Sequence, residues 1–256
     1  MLVTNPLASG AIIKRSAIYI IICGVLVSHT LSAAELDSST VQHYITSMKN
    51  AYNHIDDYQC IFKKQERVNG KRLPQETILL KFKKPFSIYM KWIKEPHKDQ
   101  EILYVRGWND GKLRAHPGSF PDITVNLNPT GSLAMRENRH PVTEAGIGQT
   151  IKMVSDDYHY AMKHPQDSVK YFDRGMKTVG ARKARCFEAI MPLKEHSPYY
   201  AHRAVICIDD SLNLPSRVTI YDKTNTLVED YFYTKFHLNI GLSKKDFQPD
   251  NPNYNF

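Results

Sequence analysis

Eleven histidines, four cysteines and the polar run Arg136, Glu137, Asn138, Arg139, His140, Thr143 and Glu144 are the residues of this chain with chemistry to offer. His159 and His164 stand five apart around a predicted helix end, and His196 and His202 flank a Ser-Pro-Tyr-Tyr segment. No HExxH, paired CxxC or HxH spacing accompanies them, so the ligand set of a zinc hydrolase is missing and scattered surface histidines are the better reading. There is no G-x-S-x-G elbow, and Cys60 lies six residues from His54 across a helix-to-strand turn, with nothing to make that pair a nucleophile and base. The chain reads as a non-enzymatic protein with no catalytic residue, metal or cofactor.

The polar run at 136–144 has a mechanical reading instead. Thr143 or Asn138 can cap a following helix, and Arg139 can pair with Glu66 or Glu144 to latch a lid on a sheet. A local capping network with no gating role is the alternative. The second chemistry on offer is apolar. Phe82, Ile88, Met90, Trp92 and Tyr104, with Ile147 and Ile151 from a helix, form a candidate wall for an acyl chain, which gains ~0.8 kcal/mol for each methylene it buries. The competing reading is that these side chains simply fill a core, the default for regularly spaced aliphatic and aromatic stripes.

The elements that must position these groups follow from periodicity. Ser38, Ser39 and Thr40 supply capping hydroxyls, and Val41, Tyr44, Ile45, Met48, Ala51, Tyr52 and Ile55 recur at three- and four-residue spacing, an amphipathic helix. The run 58–68 reads as a strand ending at Asn69-Gly70, the strongest hairpin signal present, with 76–83 as partner. Further strands fall at 86–93, 101–106 and 112–116. Residues 117–141 have no clean period and are rich in proline, glycine and asparagine, the mark of a lid or binding loop. A second helix is predicted over 143–162, its first turn weakened by Gly146 and Gly148 at ~1 kcal/mol each.

Strands resume at 169–173, 177–179 and 183–191, and the chain ends in a meander over 203–238. There Ala204, Ile206 and Ile208 share a face, as do Val218 and Ile220, and alternation places Val228, Phe232, Phe236 and Leu238 together with Glu229, Tyr231 and Tyr233 opposite. The fold class is α+β, one long antiparallel sheet with helices on a single face.

The first residues belong to a different element. Lys14 and Arg15 precede the apolar run 16–27, and Ser32-Ala33-Ala34 forms a small-x-small site before Glu35, the pattern of a cleaved secretory signal peptide over 1–34. The apolar run is short of the ~20 residues a bilayer requires, and Ile20, Ile21 and Ile22 before Cys23 argue against a lipidation site. The leader holds no acidic residue, so its removal lowers the formal net charge from +8 to +6. The remaining positive charges are interspersed with acids, and export makes nucleic acid a poor partner. In an oxidising compartment Cys186 and Cys207 are the natural pair, with Cys60 left free and buried; three unbridged buried cysteines are the alternative.

The segments YQCIFKKQERVNGK at 58–71, FSIYMKWIKEP at 86–96, LAMRENRHPVTEAGIG at 133–148 and NIGLSKKDFQPDNPNYNF at 239–256 carry a resemblance. With the order of elements they resemble an uncharacterised branch of exported bacterial proteins related to the lipoprotein-carrier superfamily typified by LolA and LolB. The resemblance implies an incomplete β-barrel over 35–256, with a helical insertion at about 117–163 and helices covering the concave face. It further implies that this face takes a lipid or lipoprotein acyl chain, with peripheral or transient membrane contact, or else a peptide or protein of the envelope in an interaction or sensing module. The chain is longer than the carriers and offers no match to their lid-locking arginine, so the fold carries over further than the cargo.

Overall fold

The computed structural model describes residues 1–3, 33–193 and 198–256. Residues 4–32 of the leader, with Cys23 and the cleavage site's Ser32, and His196 lie outside the described residues.

Between Ala33 and Phe256 the chain forms one compact unit built on a single antiparallel sheet. Its strands are β1 (Asp57–Val68), β2 (Lys71–Arg72), β3 (Glu76–Lys83), β4 (Ser87–Trp92), β5 (Glu101–Val105), β6 (Leu113–His116) and β7 (Val125–Leu127), then β8 (Lys170–Val179), β9 (Arg182–Ile190), β10 (Arg203–Asp209), β11 (Pro215–Tyr221) and β12 (Leu227–Leu238). The order across the sheet is β7-β6-β5-β4-β3-β1-β12-β11-β10-β9-β8, with β2 beside the end of β1. Short connections make sequence neighbours into sheet neighbours, as hairpin-length loops dictate. The exception is the β1–β12 seam, where the two halves of the chain meet. The sheet is open, an incomplete barrel whose edges are β7 and β8. Part of the β8 edge is covered by the residues before the first helix: Leu36 N–H donates to Tyr171 O and Asp173 N–H to Ala34 O, each at 2.8 Å.

Helices α1 (Ser38–Asn53), α2 (Ser132–Met135) and α3 (Ile147–Lys163) complete the fold. The apolar stripe of α1, Val41, Ile45 and Met48, is fully buried and packs in one cluster with Ile147 and Ile151 of α3 and the inner face of the sheet. The cap of α1 is Asp37, whose carboxylate accepts the Thr40 N–H at 2.7 Å, in place of the expected hydroxyls; a charged acceptor suits the positive end of a helix.

The start of α3 also differs from expectation. Val142–Glu144 is a separate 3-10 turn, and the helix cap is Gly146 rather than Thr143 or Asn138. Gly146 has φ +101°, and a Cβ there would stand 2.8 Å from Tyr58 Oη. A Cβ on Gly148 would meet Tyr52 Oη at 2.5 Å. The two glycines let the helix start sit against tyrosine hydroxyls, and the Ile147 N–H donates to Tyr58 Oη at 3.1 Å.

Two bulges change how the strands read. Residues 169–173 and 177–179 are one strand, β8, broken in register between Asp173 and Met176. In β12 the register against β1 shifts near Lys235, whose φ is +52°. The extra residue reverses the alternation. Glu229, Tyr231 and Tyr233 therefore face inward with Phe236 and Leu238, whereas Phe232 packs on the outer face with Val179, Ala184, Cys186 and Cys207. The outer face is not bare over β4 and β5 either, where Leu242, Phe247, Tyr254 and Phe256 of the C-terminal segment pack on Tyr89 and Leu103.

Candidate functional site

Helices and sheet do not meet everywhere. Between them lies a cavity of about 760 Å³. Its sheet wall includes Phe62 and Ile78, Met90 and Trp92, and Ile206 and Ile220. Its cover is built from Val41 and Ile45 of α1, Met153 and Val154 of α3 and the insertion between β6 and α3. Most of the lining is apolar because strand alternation delivers the hydrophobic face to the helix side.

Of the seven candidate wall residues, Met90 and Trp92 line the cavity. Phe82, Ile88, Tyr104, Ile147 and Ile151 are buried in the same core cluster without reaching the cavity surface. The reason is packing beyond them: Phe82 stacks on Tyr58 at 5.2 Å between ring centroids, Phe86 sits edge-on to both Phe82 and Tyr104, and α3 lies on the sheet with Ile147 and Ile151 as its innermost side chains.

One end of the cavity is polar. Arg139, in the insertion, donates its main-chain N–H to Glu66 Oε2 at 2.9 Å and its side-chain Nε to Glu229 Oε1 at 2.5 Å. The guanidinium also reaches Arg67 O at 3.3 Å and Tyr200 Oη. Glu144 does not bind Arg139 but stands 3.0 Å from His140 Nδ1. The latch of Arg139 with Glu66 or Glu144 thus needs correction: its side-chain partner is Glu229, and Glu66 takes the backbone of Arg139. His140 Nε2 lies 3.3 Å from Glu229 Oε1 and 2.9 Å from Tyr200 Oη. Tyr200 donates to Glu229 and Tyr231 to Glu66. Lys64 pairs with Glu76 at 2.9 Å and donates to Asn138.

Glu229 is the functional candidate that the sequence reading missed. It is 0% exposed. Burial raises its pKa, but hydrogen bonds from His140, Tyr200 and Arg139 outweigh that and hold it below the ordinary value. Burial likewise lowers the His140 pKa, and Glu229, Glu144 and Glu66 together more than reverse it, so the imidazole sits above its usual value. The available signal was a lone carboxylate followed at period two by Tyr231 and Tyr233, a charged residue in a stripe of large aromatics.

Other groups have structural partners. Cys186 and Cys207 are cross-strand partners on β9 and β10 and are joined by a disulfide on the outer face. Cys60 is a free thiol, 1% exposed, and burial pushes its pKa up, away from thiolate chemistry. His159, His164 and His202 each engage a backbone carbonyl. Among the described residues no group of three or more His, Cys, Asp or Glu is placed to hold a metal ion.

The fold and site together define an open antiparallel half-barrel with helices over an apolar cavity. The chain belongs to the family described as Protein of unknown function (DUF1571), whose model matches residues 55–256. Among solved structures it is similar to the Mycobacterium tuberculosis lipoprotein LppX, at 12% identity over 81% of this chain and 99% of that one, with a TM-score of 0.48. It is similar to a LolA superfamily protein from Nitrosomonas europaea, at 10% identity over 82% and 97% with a TM-score of 0.34. The MucA/MucB complex of Pseudomonas aeruginosa matches at 14% identity over 82% of this chain and 60% of the matched chain, with a TM-score of 0.44. At these identities, and with TM-scores below 0.5, nothing said of those proteins is carried to this chain. No curated protein matches the sequence.

Proposed function

We propose that this is an exported carrier that holds the acyl chain of a lipid or lipoprotein in its lidded groove, released from its signal peptide after Ala34. The observation that carries the reading is the largely apolar cavity of about 760 Å³ between sheet and helices, within the ~300–1,000 Å³ range of small-molecule sites. Binding of this kind needs no catalytic group. Methylene burial alone supplies the affinity, and the polar end fixes which way the ligand lies. The insertion, latched through Arg139, is the part that opens.

The test is native mass spectrometry with lipid extraction on protein purified gently from its own envelope. A bound acyl or lipid mass, lost in a Trp92→Arg variant of unchanged melting temperature, supports the carrier. A clean mass for the protein alone, with no uptake of a fluorescent acyl probe, overturns it and directs attention to a peptide or envelope protein as occupant of the groove.

A further inference from the structure

The cavity wall is acidic in a chain that is basic overall. The sequence carries a formal charge of +8, yet Glu66, Glu137, Glu144, Asp157 and Glu229 line the cavity against Lys64, Arg136 and the imidazoles of His116 and His140. The nearest further cation, Arg139, is not part of the wall, and its guanidinium is already bound to Glu229, Tyr200 and the Arg67 carbonyl. Lys64 is likewise held between Glu76 and Glu66.

Three buried side-chain atoms have no hydrogen-bond partner among the described residues, Glu76 Oε2, Trp92 Nε1 and Glu229 Oε2. Of the two cavity-lining ones, Trp92 Nε1 is a donor on the apolar wall and Glu229 Oε2 an acceptor at the acidic end. Glu229 Oε1 receives Arg139, His140 and Tyr200, whereas Oε2, equally buried, has no hydrogen-bond partner among the described residues. A buried carboxylate oxygen without a donor is costly, and a low-dielectric surround raises that cost. The arrangement is complete only when something brings a donor to it. A ligand ending in a carboxylate or a phosphate brings acceptors and negative charge, so at this end it faces the buried Glu229 carboxylate without offering it a donor and leaves Oε2 unsatisfied. A hydroxyl or an ammonium group brings the donor, and the second also brings compensating charge.

We infer that the cavity selects amphiphiles whose head donates hydrogen bonds and carries no negative charge, a hydroxyl or ammonium head seated on Glu229 with the chain lying along the apolar wall toward Met90 and Trp92. The inference rests on the carrier reading and names the ligand class within it. It makes Glu229 a specificity-determining residue, one that discriminates between lipids of equal chain length by their heads. Arg139, His140 and Tyr200 then act as positioning residues, because they hold the carboxylate ionised and turned so that Oε2 is the free atom.

The experiment is calorimetric titration of delipidated full-length mature protein with three probes of one chain length: monomyristoylglycerol, tetradecylammonium and myristate. The expected result is that the first two bind at least tenfold tighter than myristate, and that Glu229→Gln narrows this gap by admitting myristate. Because Glu229→Gln removes the partner of Arg139 and can unfold the latch, Asp157→Asn is measured beside it; this variant deletes one wall charge from α3 without touching Arg139, and myristate binds it more tightly than wild type. Equal binding of all three probes, or a preference for myristate, overturns the head selection and leaves the carrier standing. Binding of none of them overturns the carrier reading and this inference together.

Discussion

Glu66 and Glu229 stand directly opposite each other on β1 and β12. Like charges facing across a strand pair repel, and these two are tolerated because each has its own donors. Glu66 is held by Tyr231 and the Arg139 N–H, with Lys64 at 3.8 Å, and Glu229 by Arg139, His140 and Tyr200. One residue of the insertion thus spans both carboxylates, and it does so on the seam that joins the N-terminal and C-terminal halves of the sheet. The cover of the cavity is fastened where the barrel is held together.

Arg139→Ala removes that span. Breaking a buried pair costs ~3–5 kcal/mol, but the Arg139 side chain is 30% exposed and Glu229 keeps His140 and Tyr200, so a loss of about 1–2 kcal/mol is expected. Stopped-flow exchange of a fluorescent acyl probe should become several-fold faster, with Arg139→Lys intermediate because it keeps the charge and loses the fork. A normal melt with unchanged exchange would leave Arg139 as a structural residue of the insertion and no latch.

The disulfide is expected to matter for stability and not for binding. Cys186 and Cys207 are 21 residues apart and pack with Val179, Ala184 and Phe232 on the face away from the cavity. Closing a loop of that size contributes ~3 kcal/mol. The double variant Cys186→Ala/Cys207→Ala should therefore lose about 2–4 kcal/mol in urea unfolding, while its affinity for an acyl probe stays within a factor of two or so of wild type, since that affinity rests on apolar area elsewhere. A tenfold weaker affinity in the folded variant would mean that the outer face and the cavity are coupled.

Gly146→Ala tests the close packing at the start of α3. Gly146 is the N-cap of α3, where alanine's advantage inside a helix does not apply and glycine is the better residue. The φ of +101° and the 2.8 Å approach of a Cβ to Tyr58 Oη add to that preference, and a loss of about 1–3 kcal/mol is expected. Tyr58 is fully buried and cannot swing aside. Thermal melts of the single variant decide it, and a stabilised Gly146→Ala would show that the α3 start has room to relax.

These positions mark where the sequence was legible. The order of strands within each half follows from hairpin-length loops such as Asn69-Gly70 and 222–226, because a short connection leaves a strand no neighbour but the next. The β1–β12 seam has no such local signal, and with it went the facing of Glu66 and Glu229. Alternation located the inner face correctly in β10 and β11, where Ile206 and Ile220 line the cavity. It failed in β12 because nothing in the residue types announces the bulge at Lys235. Periodicity also tells which face a side chain takes, not how far along that face the helices reach, which is why Met90 and Trp92 border the cavity and Ile88, two residues before Met90, does not. Arg139 was singled out by its setting in the polar run, and its true partner lies 90 residues away.

The strength of the latch should depend on pH in a definite direction. His140 is faced by Glu144 from its own segment, Glu229 from β12, Glu66 from β1, and Arg139 and Tyr200 beside it. Its pKa lies above the ordinary 6.5 because, although burial lowers it, Glu229, Glu144 and Glu66 together raise it by more. A histidine raised on folding contributes stability that is fully present below 6.5 and is lost as pH rises through the folded value. Glu229 lies below its ordinary 4.5, so its contribution is present above 4.5 and lost as pH falls through its folded value. Asp157 is pushed up to about 6 by burial, an acid that costs stability as pH climbs from 3.8 to that value. Stability should therefore fall as pH rises above 6.5, and probe exchange should quicken over the same range. His140→Gln should flatten that fall, and Asp157→Asn should flatten the slope below about 6 while leaving the upper one intact. Melting curves of the three proteins across this range test the assignment: a His140→Gln protein that keeps the full upper slope would place the titrating group elsewhere and remove His140 from the latch.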